Sequence, residues 1–214
     1  MRLMHQIAML LVVIALTGCA NHEPYDYTNL LESKPRSILV LPPVNNTVEV
    51  EAPYIYLSTI TRPLAEKGYY VFPVSVVDNM MKQNGLPEPA EMHAVSLTKI
   101  DEIIGADSVL YVTIEEWGQK YQVTTSAAVV SVGMKLVDVK SGALLWEGRG
   151  AAQQSSGDGG GGLVGALIGA IVTQMLSDVV DHTPTLSRQV NVNTLYNATN
   201  GLLAGPYATP EKKL

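Results

Sequence analysis

The sequence predicts an α/β fold: a mixed β-sheet flanked by helices, with further helices at the C-terminal end. Three observations carry that expectation. Short apolar runs at 37–41, 69–72 and 109–114 alternate with segments of helical period, the order that builds a sheet covered by helices. Residues 130–136 then switch to a two-residue period, and after Ser141-Gly142 the segment 143–149 returns with it, which describes an antiparallel hairpin. The last third goes back to apolar and helical segments.

Ahead of these elements, Arg2 precedes an unbroken apolar run from Ile7 to Leu16, followed by Thr17, Gly18 and Cys19, the single cysteine of the 214 residues. A basic start, a short apolar stretch and small residues before a cysteine make a secretory signal peptide with a lipobox. Residues 1–18 are expected to be removed, leaving Cys19 as the new amino terminus with a diacylglycerol on its sulfur and a further acyl chain on its amine. Two or three chains, at roughly 0.8 kcal/mol per buried methylene, hold a protein on a bilayer without threading it through. Ala20 stands where an aspartate would favour retention in the inner membrane, so the expected place is the outer membrane, on its periplasmic side. Residues 19–36 read as a lipidated tether, in which Tyr25, Tyr27, Leu30 and Leu31 have the character to pack on the folded domain.

A single domain is expected over 37–204. Ser37 to Leu41 forms a buried strand stopped by Pro42-Pro43, and Asn45, Asn46 and Thr47 form a loop. Tyr54, Leu57, Ile60 and Leu64 place a helix over 53–66, bent near Pro63 and ended by Gly68. Tyr69 to Phe72 is a second strand. Ser75 and Asp78 have the spacing of a capping box, opening a helix through Met80 and Met81 that Gly85 closes. Beyond the Pro87-Glu88-Pro89 turn, Ser96 caps a helix with Leu97, Ile100, Ile103 and Ile104 on one face. Val109 to Ile114 is β-branched and aromatic, hence a strand. In the hairpin, Val130, Val132, Met134 and Leu136 share a face, and Trp146 aligns with Leu144.

A glycine-rich loop over 155–162 leads into an apolar helix over 163–180, whose apolar core of about 14 residues is shorter than the roughly 20 needed to cross a bilayer. Gly165 and Gly169, offset by Ala166 and Ala170, put small residues one turn apart, which lets two helix backbones approach closely. Packing on the protein's own sheet, self-association and docking on a partner or the membrane all remain open for that face. Pro184 and Thr185 begin a weak helix through Val190, Leu195 and Tyr196, and 205–214 reads as a loose tail.

The chemistry is sparse. Without Arg2, the 14 basic residues fall to 13 against 20 acidic, a mature net charge of about −7 with no clustered basic face, which argues against a nucleic-acid partner. An acylated Cys19 leaves no thiol for a disulfide, metal site or nucleophile. Gly160-x-Gly162-x-x-Gly165 has the letters of a dinucleotide fingerprint without the strand that must come after it. His5, His22, His93 and His182 are too scattered to share a metal. Glu115 and Glu116 are expected on opposite faces of a strand, and Ser126 and Ser131 have no nearby histidine. No enzyme, metal or cofactor is expected, beyond the covalent lipid on Cys19.

Ser37-Ile38-Leu39-Val40-Leu41-Pro42-Pro43 with Asn45-Asn46-Thr47 resembles the opening strand of the TolB amino-terminal and CsgG-like folds. Gly105-Ala106-Asp107-Ser108-Val109-Leu110-Tyr111-Val112 is similar to their helix-to-strand step, and Asp138 to Trp146 to their closing hairpin. Over its whole length the chain resembles outer-membrane lipoproteins of the neisserial genome-derived antigen type. The resemblance implies a periplasmic module, a candidate homodimer, that assists an envelope export or assembly system beside a CsgG-like lipoprotein. It lacks the two long amphipathic hairpins of a CsgG pore. The alternative is a lipoprotein activator of a cell-wall synthase, a penicillin-binding protein, since some lipoproteins of this fold act so.

Overall fold

A computed structural model of the chain describes residues 24–121, 126–155 and 181–209. Strand β1 (Ser37–Val40) is buried at every residue, as a strand covered on both faces must be. Parallel to it run β3 (Tyr70–Val71) on one side and β4 (Ser108–Tyr121) on the other. Two antiparallel strands, β5 (Ser126–Asp138) and β6 (Leu144–Ser155), complete the order β3-β1-β4-β5-β6. Where Pro42-Pro43 ends β1, the short β2 (Val44–Asn45) takes its place beside β4, since proline has no donor for the ladder. The sheet is mixed, as the sequence predicts.

Helices cover both faces. Ile38 and Val40 point into one core with α2 (Ala52–Glu66) and α6 (Thr183–Leu195), while Leu39 and Leu41 point into a second. That second core holds α3 (Val74–Gln83), α4 (Pro89–His93) and α5 (Leu97–Ile103). Alternation along one four-residue strand thus feeds two cores. Val130, Val132, Met134 and Leu136 are all buried under α6, the face their spacing predicts. The opposite face of the hairpin carries Lys135, Glu147 and Arg149 in solvent.

Several expectations are corrected. The tether is shorter than 19–36, because Thr28–Ser33 forms a helix, α1, with Leu30 buried against the main core. Burying one leucine is worth roughly 1.5–3 kcal/mol. Nor is the tail loose from residue 205: Gly205 and Tyr207 donate their amides to Lys67 and Gly68 carbonyls at 2.7 and 2.9 Å. Gly68, at φ +88°, leaves the space that Ala208 backbone fills. Pro73, rather than Ser75, stands at the cap of α3, and the 87–89 turn opens α4, where the Glu91 carboxylate accepts the Glu88 amide. Ile103 is solvent-exposed, so α5 buries Ile100 instead.

Two register shifts move side chains off their expected faces. One, between Leu136 and Val137, pairs these with Trp146 and Leu144, so Leu145 is the extra residue. Leu144 therefore lies in solvent while Trp146 is buried. The other falls at Glu115; a bulge inserts one residue and resets the alternation. Glu115 and Glu116 are both exposed, with Ile114 and Trp117 buried on either side.

Candidate functional site

Asp107, Asp138 and His93 are engaged in holding the fold. Asp107 accepts the Arg36 and Ser37 amides and the Ser37 hydroxyl, each at 3.0 Å, and donates its own amide to Ser37 Oγ at 2.9 Å. This ties β1 to the start of β4. Asp138 accepts the Ser33 hydroxyl, the Lys140 amide and both the amide and hydroxyl of Ser141. Burial pushes its carboxyl up, but the hydrogen bonds from Ser33, Ser141 and Lys140 outweigh burial and hold it below its ordinary value.

His93 sits 2.9 Å from the Pro42 carbonyl through Nε2, with its ring edge-on to Tyr111 at 5.2 Å between centroids. Burial pulls its pKa down against the raising effect of the Pro42 carbonyl. His182 stands at the N-cap of α6. Ser131 donates to Glu115, whose other oxygen lies 3.8 Å from Arg149. Ser126 begins β5 opposite Tyr121. Among the described residues no three His, Cys, Asp or Glu side chains gather as a metal site. No described helix is long and apolar enough to cross a membrane.

What the described residues do offer are surfaces. The outer side of β6 meets no described strand. Its beginning is covered: Asn29 donates to the Leu144 carbonyl at 3.0 Å and the Glu147 amide donates to Tyr25 Oη at 2.8 Å. Since Glu147 turns its amide outward, the two-residue period turns the backbone groups of Arg149, Ala151 and Gln153 outward as well. Their side chains are exposed, and only Arg149 carries a charge.

A second surface is an apolar groove of about 230 Å³ between α1 and residues 203–206, lined by Leu30, Leu31, Lys34, Tyr69, Leu203 and Pro206 among others. Lys34, in the left-handed region at φ 49°, donates its amide to Leu30 and ends the helix at the groove. Tyr69 Oη donates to the Leu203 carbonyl at 2.9 Å across its floor, and burial pushes that hydroxyl up to about 12. The groove joins segments some 170 residues apart in sequence, so only the apolar Leu30-Leu31 pair hinted at it. The predicted site residues, Leu16, Thr17, Gly18 and Cys19 of the lipobox and Gly165, Ala166, Gly169 and Ala170 of the apolar helix, lie outside the described residues.

A family model described as "Putative lipoprotein GNA1162-like" matches residues 25–207. The chain belongs to the GNA1162-like lipoprotein family. A relative described as "Putative lipoprotein NMB1124/NMB1162", from Neisseria meningitidis serogroup B, is 40% identical over 206 residues, covering 95% of this chain and 96% of the relative. The crystal structure of lipoprotein GNA1162 from Neisseria meningitidis superposes with a TM-score of 0.55 at 42% identity, over 62% of this chain and 92% of the other. The PelC dodecamer from Paraburkholderia phytofirmans comes next at 18% identity, with a TM-score of 0.47, over 76% of this chain and 86% of PelC. The match to the GNA1162-like family begins at Tyr25, six residues past Cys19. Membership of a lipoprotein family fits a membrane-anchored place in the cell envelope.

Proposed function

We propose that this GNA1162-like lipoprotein is a non-enzymatic interaction module of the envelope, fixed to the outer membrane through Cys19 and docking a protein partner on the outer edge of β6. One observation carries the reading: β6 runs twelve residues, and past Glu147 its outward backbone groups meet no described element. An edge of this kind is a template for another strand, and natural proteins commonly block such edges with lysine, proline or a covering loop. From Gly150 to Gln154 there is no charge and no proline. The hydrogen-bonded roles of Asp107, Asp138 and His93 support a structural rather than a catalytic use of the ionisable groups.

The partner class that the resemblance implies is a CsgG-like lipoprotein, with the small-residue face of Gly165, Ala166, Gly169 and Ala170 as a second contact. The test is photo-crosslinking in intact cells from a benzophenone residue at 149, 151 or 153, with Val76 on α3 and Ile103 on α5, both exposed, as reference positions. Adducts from the β6 positions that exceed the reference positions several-fold and contain a CsgG-like lipoprotein support the reading. Adducts with a penicillin-binding protein select the cell-wall synthase activator instead. Equal yields from β6 and the reference positions overturn docking on this edge.

A further inference from the structure

The strand register defines two ends of the sheet. Ser37 pairs with Tyr70, Ile38 with Ser108, Ser108 with Asp138, and Val137 with Leu144. All five strands of the main path therefore have one terminus at a common end. The opposite end holds Tyr121, Ser126 and Ser155. At about 3.3 Å per residue, the fourteen residues of β4 separate the two ends by about 45 Å.

Both terminal segments cross the first end. Tyr27 Oη donates to the Gly201 carbonyl at 2.5 Å, Trp146 Nε1 to Asn200 at 2.8 Å, and Lys67 Nζ to Leu202 at 2.6 Å. Asn29 and Ser33 reach Leu144 and Asp138 there. Residues 24–36 and 200–208 thus form a layer over the strand ends, and the apolar groove opens in that layer.

From Cys19 to Pro24 there are five residues, which span at most about 18 Å even when fully extended. Pro24 is followed at once by Tyr25, held on β6, and α1 then carries the chain some 9 Å to the groove, at 1.5 Å per residue. A domain leashed this closely cannot turn its far end to the bilayer without carrying its own attachment point away. The groove's rim supplies what a headgroup layer takes up: Leu31 and Tyr207 are 57% and 62% exposed, and Lys34 lies between apolar walls. Tyrosine and lysine at a membrane interface keep a polar tip in the headgroups and apolar atoms below them. Within seven residues of Pro206 the sequence adds Lys212 and Lys213.

We infer that this layer is a membrane-contact face: the domain rests on the phospholipid headgroups through Leu31, Lys34 and Tyr207, and its long hairpin stands away from the bilayer, presenting at a distance the part of β6 that no described element covers. This orientation rests on lipidation of Cys19, as does the proposed function. The acylated mature chain contains no other cysteine, so one introduced thiol can be labelled alone.

The experiment uses the full lipidated chain in vesicles of phosphatidylethanolamine and phosphatidylglycerol, with bimane at Leu31→Cys, Tyr207→Cys or Gln153→Cys and a headgroup nitroxide lipid as quencher. All three positions are exposed, so the substitutions leave the cores intact. Quenching at 31 and 207 at least threefold above that at 153 is expected. With Cys19 blocked to the reagent, equal quenching at the three positions, or more at 153, overturns the contact face while the anchor stands. A wild-type chain that itself takes up one bimane per molecule shows a free Cys19, and overturns the anchor together with the inference.

Discussion

Thr194 occupies the place that a side chain on Gly150 would need. A Cβ on Gly150 would run into Thr194 Oγ1, and one on Gly148 would stand 2.5 Å from the Trp146 ring and 2.8 Å from Thr194 Cγ2. Helix α6 therefore lies directly on bare β6 backbone, which brings Val190 and Leu195 down onto the sheet. Gly150→Ala and Gly148→Ala should each lower stability by about 1–3 kcal/mol through overpacking. Gly148 should be the worse position, because its obstacle is a fully buried indole. Urea midpoints of the mature chain measure this, and unchanged midpoints would mean that α6 does not seat on these glycines.

Asp138 makes stability depend on acid. Its folded pKa lies below the ordinary 3.8, since hydrogen bonds from Ser33, Ser141 and Lys140 overcome burial. A carboxyl lowered in the folded state binds its proton more readily when unfolded, so its contribution is complete above about pH 5 and is lost as pH falls through the unfolded and then the folded value. Asp138→Asn should flatten the slope of the urea midpoint between about pH 5 and pH 3. Asp138→Ala, which strands the Ser33 hydroxyl and the turn amides, should cost about 1–3 kcal/mol at neutral pH. An Asn variant with the wild-type pH slope would move the acid sensitivity to another carboxyl.

The elements with a strong period were legible in the sequence, and the points where one residue breaks that period were not. Alternation alone put Val130, Val132, Met134 and Leu136 on one buried face. It misplaced Leu144, because the extra residue Leu145 slips the register against Leu136 and Val137. The same holds for Glu115 and Glu116, which a bulge turns to solvent together. Short helices such as Pro89–His93 carry too few turns for a period to show. For Leu30 in the expected tether the local signal is its apolar character alone: what covers it is the distant segment around Leu203, and contact between chain ends is a tertiary event. The candidate surfaces come from topology for the same reason, since an open edge exists only once strand order is known.

Trp146 secures the terminal layer to the sheet. Its ring is fully buried and its Nε1 donates to the Asn200 carbonyl at 2.8 Å. Trp146→Phe keeps most of the apolar contact but leaves that carbonyl without its donor, a loss of about 1–3 kcal/mol. Trp146→Ala should cost about 3–5 kcal/mol. Hydrogen exchange separates the two effects: the Phe variant should speed exchange at the Gly201, Gly205 and Tyr207 amides more than at β4 amides. Uniform acceleration would show that Asn200 is not where the layer is fastened.

Tyr56 presents the opposite case, a polar group whose removal should help. Its hydroxyl is buried in the main core with no hydrogen-bond partner among the described residues, and burial raises its pKa far above the ordinary 10.0. One turn along α2, Thr59 Oγ1 meets Ser187 Oγ at 2.7 Å and accepts from Asn191 Nδ2 at 3.0 Å, while Asn191 Oδ1 also lacks a partner among the described residues. An unmade hydrogen bond in an apolar core costs about 1–3 kcal/mol of desolvation. Tyr56→Phe deletes that cost while keeping the ring, so stability should stay level or rise by up to about 1–3 kcal/mol. Thr59→Val removes the group that joins Ser187 to Asn191 and leaves both buried, so it should destabilise by about 1–3 kcal/mol. If Tyr56→Phe instead lowers the urea midpoint as far as Thr59→Val does, the hydroxyl has a partner in solution, with Asn191 Oδ1 the candidate to share a bridge with it. Combining Tyr56→Phe with Asn191→Leu then decides the matter, because two groups that share one bridge lose it together and their costs fail to add.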